Sequence, residues 1–402
     1  MALNNSKVVK VEVLLELLRF FREIILKINI FDLKVKCSLR KKGIDRVKIL
    51  HLQSMDKFIE PYINLINKYF KPEDHSFAVL TPSKEKEFNS VHKNINYIYK
   101  KLPSLLSLIK LMYKSERILL HGLFNKKIII LLFLQPWLLK KCNWIVWGGD
   151  LYCYSNKRDK IKDKLIEMMR RKIIRNLRNI TTLVKGDYNL AVKWYGTNAK
   201  YNHGVYVNPI NLHYLDSMPH LNKTDMDILN IQVGNSGNPS NQHIEVLKSL
   251  KKFRKENIKI YLPLSYGGSE EYIKEVIEFG YKVFGGNFVP LLKFLKADEY
   301  AKYLSSIDIA IFNHNRQQGL GNIFALVYLR KKVFVRSDIT SWDYLTESLD
   351  LDVFKTEEID QFSYEEFIKN ISTVDNPQKV KKLFEDKYIA QIWNKVFEAE
   401  NK

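Results

Sequence analysis

The stretch 231–243, Ile-Gln-Val-Gly-Asn-Ser-Gly-Asn-Pro-Ser-Asn-Gln-His, constrains the fold more than any other part of the chain. A short apolar run over 228–233 reads as a buried strand. It stops at Gly234, Asn235, Ser236, Gly237 and Asn238, residue types that accept tight turns and left-handed backbone. Pro239 and Ser240 punctuate the turn, and from Asn241 the apolar positions Ile244, Leu247, Leu250 and Phe253 recur at helical spacing. A strand, a small-residue turn and a helix N-terminus bring unpaired N–H groups and the positive end of a helix dipole to one point, a natural seat for a diphosphate. The same residues would serve an ordinary strand-to-helix turn, so the reading depends on what accompanies them.

The rest of the chain repeats this unit. Strands are expected at 47–52, 77–81, 95–99, 118–120, 144–147 and 180–184, with helices at 58–70 and 103–114 between them. A weakly patterned segment near 212–227 reads as a linker. Beyond it the alternation resumes, with strands at 228–233, 259–262, 308–312 and 332–335 and helices near 241–255, 270–279, 298–305 and 320–330. Alternation of this kind argues an α/β protein with two parallel, doubly wound sheets, and two such halves place a cleft between facing rows of strand ends. The expected division is an N-terminal extension over 1–45, a first Rossmann-like domain over 46–222, a second over 223–375, and a C-terminal helix over 376–402 that packs back on the first domain. Residues just past the carboxyl ends of strands line such a crevice, which places His51, His121 and Asp150 there.

Charge adds a second constraint. The 402 residues carry a formal net charge of +21, with 46% apolar and 27% charged residues, a globular profile that favours an anionic partner. The excess is densest over 157–178, where ten Lys or Arg face Asp159, Asp163 and Glu167. Ile161, Leu165, Met169, Ile173 and Leu177 recur there every four residues, so the segment reads as a helix with one buried stripe and cationic flanks. An amphipathic helix over 11–30 has a wide apolar face (Val13, Leu14, Leu17, Leu18, Phe21, Ile24, Ile25, Ile28) followed by Lys34, Lys36, Arg40, Lys41 and Lys42. It would bury against the body, in a dimer, or in an anionic membrane interface, where each basic residue adds about 1 kcal/mol. Cys37, Cys142 and Cys153 have no metal-binding spacing and suit a reducing cytoplasm. No secretory signal is read at the start, and the most apolar later run, 128–139, is too short to span a bilayer.

Two further turns in the second half match the first. Pro263-Leu264-Ser265-Tyr266-Gly267-Gly268 follows a strand and precedes a helix opened by Ser269. Arg316-Gln317-Gln318-Gly319-Leu320-Gly321-Asn322 joins a strand to a helix and sets an arginine, two amides and two glycines before a helix N-terminus. With Asn235-Ser236-Gly237 on a neighbouring strand end, this pair suits a nucleotide diphosphate. Tyr266 and Gly267 sit where a base or ribose would rest.

These strings, with His121-Gly122-x-Phe124-Asn125 and Trp147-Gly148-Gly149-Asp150-Leu151-Tyr152, resemble the signatures of glycosyltransferase family 56 over roughly residues 47–342. That family moves 4-acetamido-4,6-dideoxygalactose from dTDP to lipid II. The resemblance implies a GT-B architecture with the donor on the second half, the acceptor on the first, and no obligatory metal or other cofactor. Donor contacts then fall to Gly234, Asn235, Ser236, Gly237, Tyr266, Gly267, Arg316, Gln317, Gln318, Gly319, Gly321 and Asn322. His51, Trp147 and Gly149 fall on the acceptor side, and Gly149 departs from the family's less flexible small residue. Without a metal, the leaving diphosphate needs N–H groups, a helix dipole and an arginine, and an attacking hydroxyl needs a general base, for which Asp150 and His121 are the candidates. Asp225-Met-Asp227 and Asp350-Leu-Asp352 would suit a metal-dependent enzyme, but the first precedes its strand instead of ending it. The expected partners are a nucleotide-diphosphate sugar, a polyprenyl-diphosphate-linked oligosaccharide and the inner face of a bacterial cytoplasmic membrane, touched peripherally. A nucleotide-sugar epimerase or hydrolase would use the same cleft. A nucleic-acid binder would explain the charge, but the basic helix lacks interleaved aromatic platforms, and no nucleic acid is expected.

Overall fold

The computed structural model describes residues 48–399 apart from 89, 209, 211, 219–227 and 370–374. The amphipathic segment 11–30, Cys37, and Asp225 and Asp227 lie outside the described residues.

Two all-parallel sheets form the body. The first contains β1 (Ile49–Ser54), β2 (His75–Leu80), β3 (Ile95–Ile98), β4 (Arg117–His121), β5 (Cys142–Ile145), β6 (Asn179–Thr182) and β7 (Lys200–His203), in the order β3-β2-β1-β4-β5-β6-β7. The second contains β8 (Leu229–Val233), β9 (Ile258–Pro263), β10 (Phe288–Leu291), β11 (Ile309–Phe312), β12 (Lys332–Val335) and β13 (Phe354–Lys355), ordered β10-β9-β8-β11-β12-β13. In each sheet the order reverses beside the first strand, at β1/β4 and β8/β11, and such switch points open a crevice at the carboxyl ends of the strands. Central strands β1, β4, β8 and β11 are buried on both faces, with Leu50, Leu119, Ile231 and Ile311 in the core, which is why they read as largely apolar.

Three strands escape the sequence pattern. β7 (Lys-Tyr-Asn-His) is an edge strand whose four residues are mostly polar and only partly covered. β10 carries Pro290, which an edge tolerates because no ladder N–H is lost, and β13 is two residues long. The expected linker begins as a helix, Leu212–Asp216, whose Leu215 is buried with Val184 and Ile210 in the core of the second half. The apolar run near 128–139 is a helix, Lys126–Leu134, and a turn, Pro136–Lys141, both contributing to the first core. The last helix, Asp386–Glu398, crosses to the first sheet: Trp393 is fully buried beside Tyr62 and donates from Nε1 to the carbonyl of Val205 at 2.8 Å. No helix among the described residues is long and apolar enough to cross a membrane.

The basic helix, Ile161–Arg175, differs from its expected stripe. Ile161 is half exposed, and the buried face is Ile166, Met169, Ile173 and Ile174 together with Glu167 and Arg170. Glu167 accepts from Arg170 at 2.8 and 3.0 Å and from Arg171 at 2.8 Å, with Arg158 at 3.1 Å. Part of the charge surplus is thus internal structure, and Arg170 reaches the backbone carbonyl of Asp150.

Candidate active site

The two glycine-bearing corners of the second sheet are bonded to each other. Gln318 donates from Nε2 to Asn235 Oδ1 at 3.1 Å and to Ser236 Oγ at 3.3 Å, and its Oε1 accepts from Ser240 Oγ at 2.7 Å. Beneath them, Asn241 accepts the backbone N–H of Asn235 at 2.9 Å and donates to Ser236 Oγ at 3.2 Å, while His314 Nε2 lies 2.9 Å from Asn241 Oδ1. The Tyr266 turn closes the third side: its carbonyl accepts from Gly237 N at 2.7 Å, and its hydroxyl accepts from Asn235 Nδ2 at 3.3 Å. Gly234 and Gly267 are the left-handed residues of these turns.

The corner that carries Gln318 opens the helix Leu320–Tyr328, whose N-cap is Gly319 at φ +73° with no side-chain cap. A Cβ there would lie 2.9 Å from His314, so both space and backbone demand glycine. The uncapped first N–H groups of this helix keep their hydrogen-bonding capacity for an anion. Asn322 is turned away from this face, its side chain accepting from Tyr300 at 2.6 Å, and the carbonyl of Gly321 accepts from Asn208 at 3.1 Å.

The first half meets this surface closely. Gly148, at φ +81°, passes so near Gln317 that a Cβ would lie 2.8 Å from its Oε1, with Arg316 Nη1 at 3.8 Å. Tyr152 donates to Asp187 at 2.9 Å, Thr340 donates to the same oxygen at 2.7 Å, and Gln317 N donates to the Tyr152 hydroxyl at 3.4 Å. Burial pushes Asp187 up to about 6 against these donors and the nearby Arg316, and burial also lowers Arg316. On the other flank, Lys57 Nζ sits 5.2 Å from the ring centroids of both Phe58 and Tyr266, which spans the cleft with a cation–π contact.

Three of the expected site residues are buried within the first half. His51 is completely buried, with Nδ1 3.2 Å from His121 Nε2 and Nε2 3.0 Å from His75 Nδ1, so it does not line the crevice. It lies three residues before the end of its strand, on a face covered by Tyr62 and Phe77. His121 is buried too, between His51 and the Tyr206 hydroxyl, and burial lowers it to about 3. Asp150 has no exposure: Oδ2 accepts from Leu123 N at 2.9 Å and Trp144 Nε1 at 2.6 Å, and Oδ1 from Trp147 N at 2.9 Å. Burial raises its pKa while these three donors lower it. Through these bonds Asp150 ties together the turns that carry Phe124, Trp147 and Gly148, with its carboxylate turned into the protein and away from solvent. Trp147 packs on Tyr206 at 4.8 Å between centroids and on Phe58 at 5.4 Å, forming one wall of the first half. The residue that needs left-handed backbone is Gly148; a Cβ at Gly149 would meet the Phe124 ring at 3.4 Å.

Asp150→Asn is accordingly expected to lower the unfolding free energy by about 1–3 kcal/mol, because an amide nitrogen would face an N–H donor. Thermal unfolding checks this, and an unchanged Tm would exclude the positioning role.

A family model described as 4-alpha-L-fucosyltransferase glycosyl transferase group 56 matches residues 50–401. The chain belongs to glycosyltransferase group 56. Among solved structures, Anabaena Alr3699/HepE in complex with UDP superimposes with a TM-score of 0.61 at 9% identity, over 87% of this chain and 99% of that one. A glycosyltransferase from Rickettsia africae gives 0.58 at 12% identity over 88% and 99%. Sucrose-phosphate synthase from Thermosynechococcus elongatus gives 0.60 at 11% identity over 88% and 100%. The fold is therefore GT-B, and the protein is a transferase of that type.

Several residues of this group 56 transferase that meet across its cleft were not given roles by the sequence. Lys57 looks like one of many lysines, and only its place after β1 marks it. Asp187 and Thr340 stand on different halves, so nothing local links them; the trace in the sequence is Gly186, where a Cβ would lie 2.7 Å from Thr340. Asp350 and Asp352 serve local structure, Asp350 pairing with Lys379 at 2.8 Å and the Asp352 N–H donating to Asn376. Among the described residues no group of three or more His, Cys, Asp or Glu could hold a metal ion.

Proposed function

We propose that the protein moves a 4-acetamido-4,6-dideoxyhexose from a dTDP-type donor to a polyprenyl-diphosphate-linked oligosaccharide during bacterial surface polysaccharide assembly. The observation that carries the donor side is Gln318 bridging Asn235 and Ser236, which joins the two corners into one polar floor beside the free helix N-terminus at Gly319. Leu320 and Gly321 offer N–H groups to the diphosphate, Arg316 offers charge, and Tyr266, 42% exposed, offers a ring to the base or ribose. A structural neighbour solved with UDP supports a pyrimidine nucleotide.

With Asp150 and His121 occupied, the acceptor's proton needs another base. Asp56 is exposed just past β1, beside the Lys57 that reaches Tyr266, and is our candidate. Lys160, Lys162, Lys164, Lys172 and Arg175 are exposed along the basic helix and its start, with Ile161 and Met168 half exposed among them. This cationic and apolar mixture suits peripheral contact with the anionic inner face of the cytoplasmic membrane.

The test is nucleotide release from dTDP-sugar with lipid-linked acceptor, in excess chelator. Release that requires acceptor and survives chelation is expected. Conversion of the donor alone would favour an epimerase or hydrolase. Asp56→Asn should lower kcat by about 10²-fold with donor affinity unchanged, and full turnover by that variant would remove Asp56 from the role.

A further inference from the structure

A half-open cavity of about 540 Å³ lies on the first half, outside the donor floor described above. Its walls include Ile98, Leu105, Ile109, Ile128, Ile130 and Leu131. Ser54 and Thr81, at the carboxyl ends of β1 and β2, place it at the same end of the sheet as the cleft. Three of the polar side chains in the lining are already engaged. Thr81 Oγ1 donates to the Ser83 carbonyl at 3.0 Å, Asn125 Oδ1 caps the helix Lys126–Leu134, and the Tyr99 hydroxyl donates to Glu87. The interior thus offers dispersion and dehydration but little hydrogen bonding, and its volume is far above a packing defect. Lys100, Lys101 and Lys127 are exposed and belong to the same lining.

We propose that this cavity seats the first isoprene units of an isoprenyl diphosphate, whose diphosphate the three lysines hold. The inference rests on the lipid-linked acceptor reading and gives that acceptor a place. Burying hydrocarbon is favourable by about 0.8 kcal/mol per CH₂, while the diphosphate stays in water beside the lysine charges. The cavity adjoins the cleft: Asn125 on its wall follows Phe124, whose ring lies 3.4 Å from a Cβ placed on Gly149. Its other flank leads to the membrane-facing candidate, since the helix Lys126–Leu134 shares one core with the basic helix and Lys126 pairs with Asp163 at 2.6 Å. Leu102 in the lining, Phe124 beside Asn125, and Trp137, Ile161 and Met168 on the first half's helices and turns are exposed apolar residues. A chain drawn from a bilayer would enter beside them and present its sugar to the cleft.

Equilibrium binding of farnesyl diphosphate to the full chain tests this, beside farnesol and inorganic pyrophosphate. Farnesyl diphosphate should bind at least about tenfold more tightly than either fragment. Leu105→Glu, at a half-buried wall position, should weaken farnesyl diphosphate about tenfold or more and leave pyrophosphate unchanged. The double variant Lys100→Glu/Lys101→Glu should weaken farnesyl diphosphate and leave farnesol unchanged. Each variant's Tm, within a few degrees of the parent, reports that it is folded. Equal affinity in parent and variants overturns the proposal. So does absence of binding to the parent, the result expected if another segment of the chain fills the cavity. Because binding is read without turnover, the two readings fail separately. Wild-type transfer rates to lipid-linked acceptor by Leu105→Glu would sink the cavity and keep the transferase reading. The expected binding pattern, with no transfer to any lipid-linked acceptor, would do the reverse.

Discussion

Arg316→Ala is expected to lower kcat/KM for glycosyl transfer by about 10²–10³-fold. As the donor bond breaks, negative charge gathers on the diphosphate, and a preorganised cation gains most at that moment. Arg316 sits where the halves meet: its Nη1 lies 3.8 Å from a Cβ placed on Gly148, and burial opposes its charge while Tyr152 and Asp187 favour it. Its partial burial raises the electrostatic worth of each contact over that of a surface arginine. Removal would also expose the diphosphate to the Asp187 carboxylate, which adds repulsion to the lost attraction. Arg316→Lys should recover only part of the rate, since a point charge does not reproduce the planar fork. Steady-state kinetics with the donor varied checks this. A loss confined to KM would assign Arg316 to ground-state binding, and a variant within about threefold of the parent would remove it from the reaction.

Acidification from pH 7.5 to 5 should remove about 7 kcal/mol of folding free energy. Burial depresses His75 and His243 to about 4 and His121 and His314 to about 3. In the folded protein these imidazoles stay neutral, whereas in the unfolded chain each takes a proton below its ordinary value of about 6.5. Stability is therefore complete above that value and is lost as pH falls toward the folded pKa values. At pH 5 each of the four contributes a loss of about 2 kcal/mol, from about 1.5 units at 1.36 kcal/mol per unit. Asp187 works the other way: raised to about 6, its folded carboxyl binds a proton first and returns about 1 kcal/mol by pH 5. The remainder is a large part of the roughly 5–15 kcal/mol that a typical fold has. Calorimetry across this range should show Tm falling by roughly 10 °C. His75→Asn should reduce the fall, and a Tm constant to within about 2 °C would show that the histidines titrate normally.

The sequence by itself determined the architecture. Central parallel strands are buried on both faces, so most of their positions are apolar, and those that carry the second half's corners run into the small residues that a sharp strand-to-helix turn demands. That local chemistry made the Gly234–Gly237, Gly267 and Gly319 corners legible one at a time, as it did the N-cap at Ser269, which accepts from Tyr272 N. Edge strands β7, β10 and β13 left no such trace, because they are short, paired on one side only and partly covered, so a continuous apolar run is not required.

Tertiary structure alone decided which polar residues face the cleft. Asp150, His121 and Asp187 all stand near the carboxyl ends of strands, and a rule based on position treats them alike. Packing separates them: Asp150 is consumed by Leu123, Trp144 and Trp147, His121 by His51 and Tyr206, while Asp187 is met by Thr340 from the other half. Lys57 acquires meaning only because Tyr266, more than two hundred residues away in sequence, is brought within 5.2 Å. The backbone signals its turns through local sterics, which neighbouring residues encode. Hydrogen-bond commitment and desolvation depend on atoms distant in the chain, and only the folded contacts supply them.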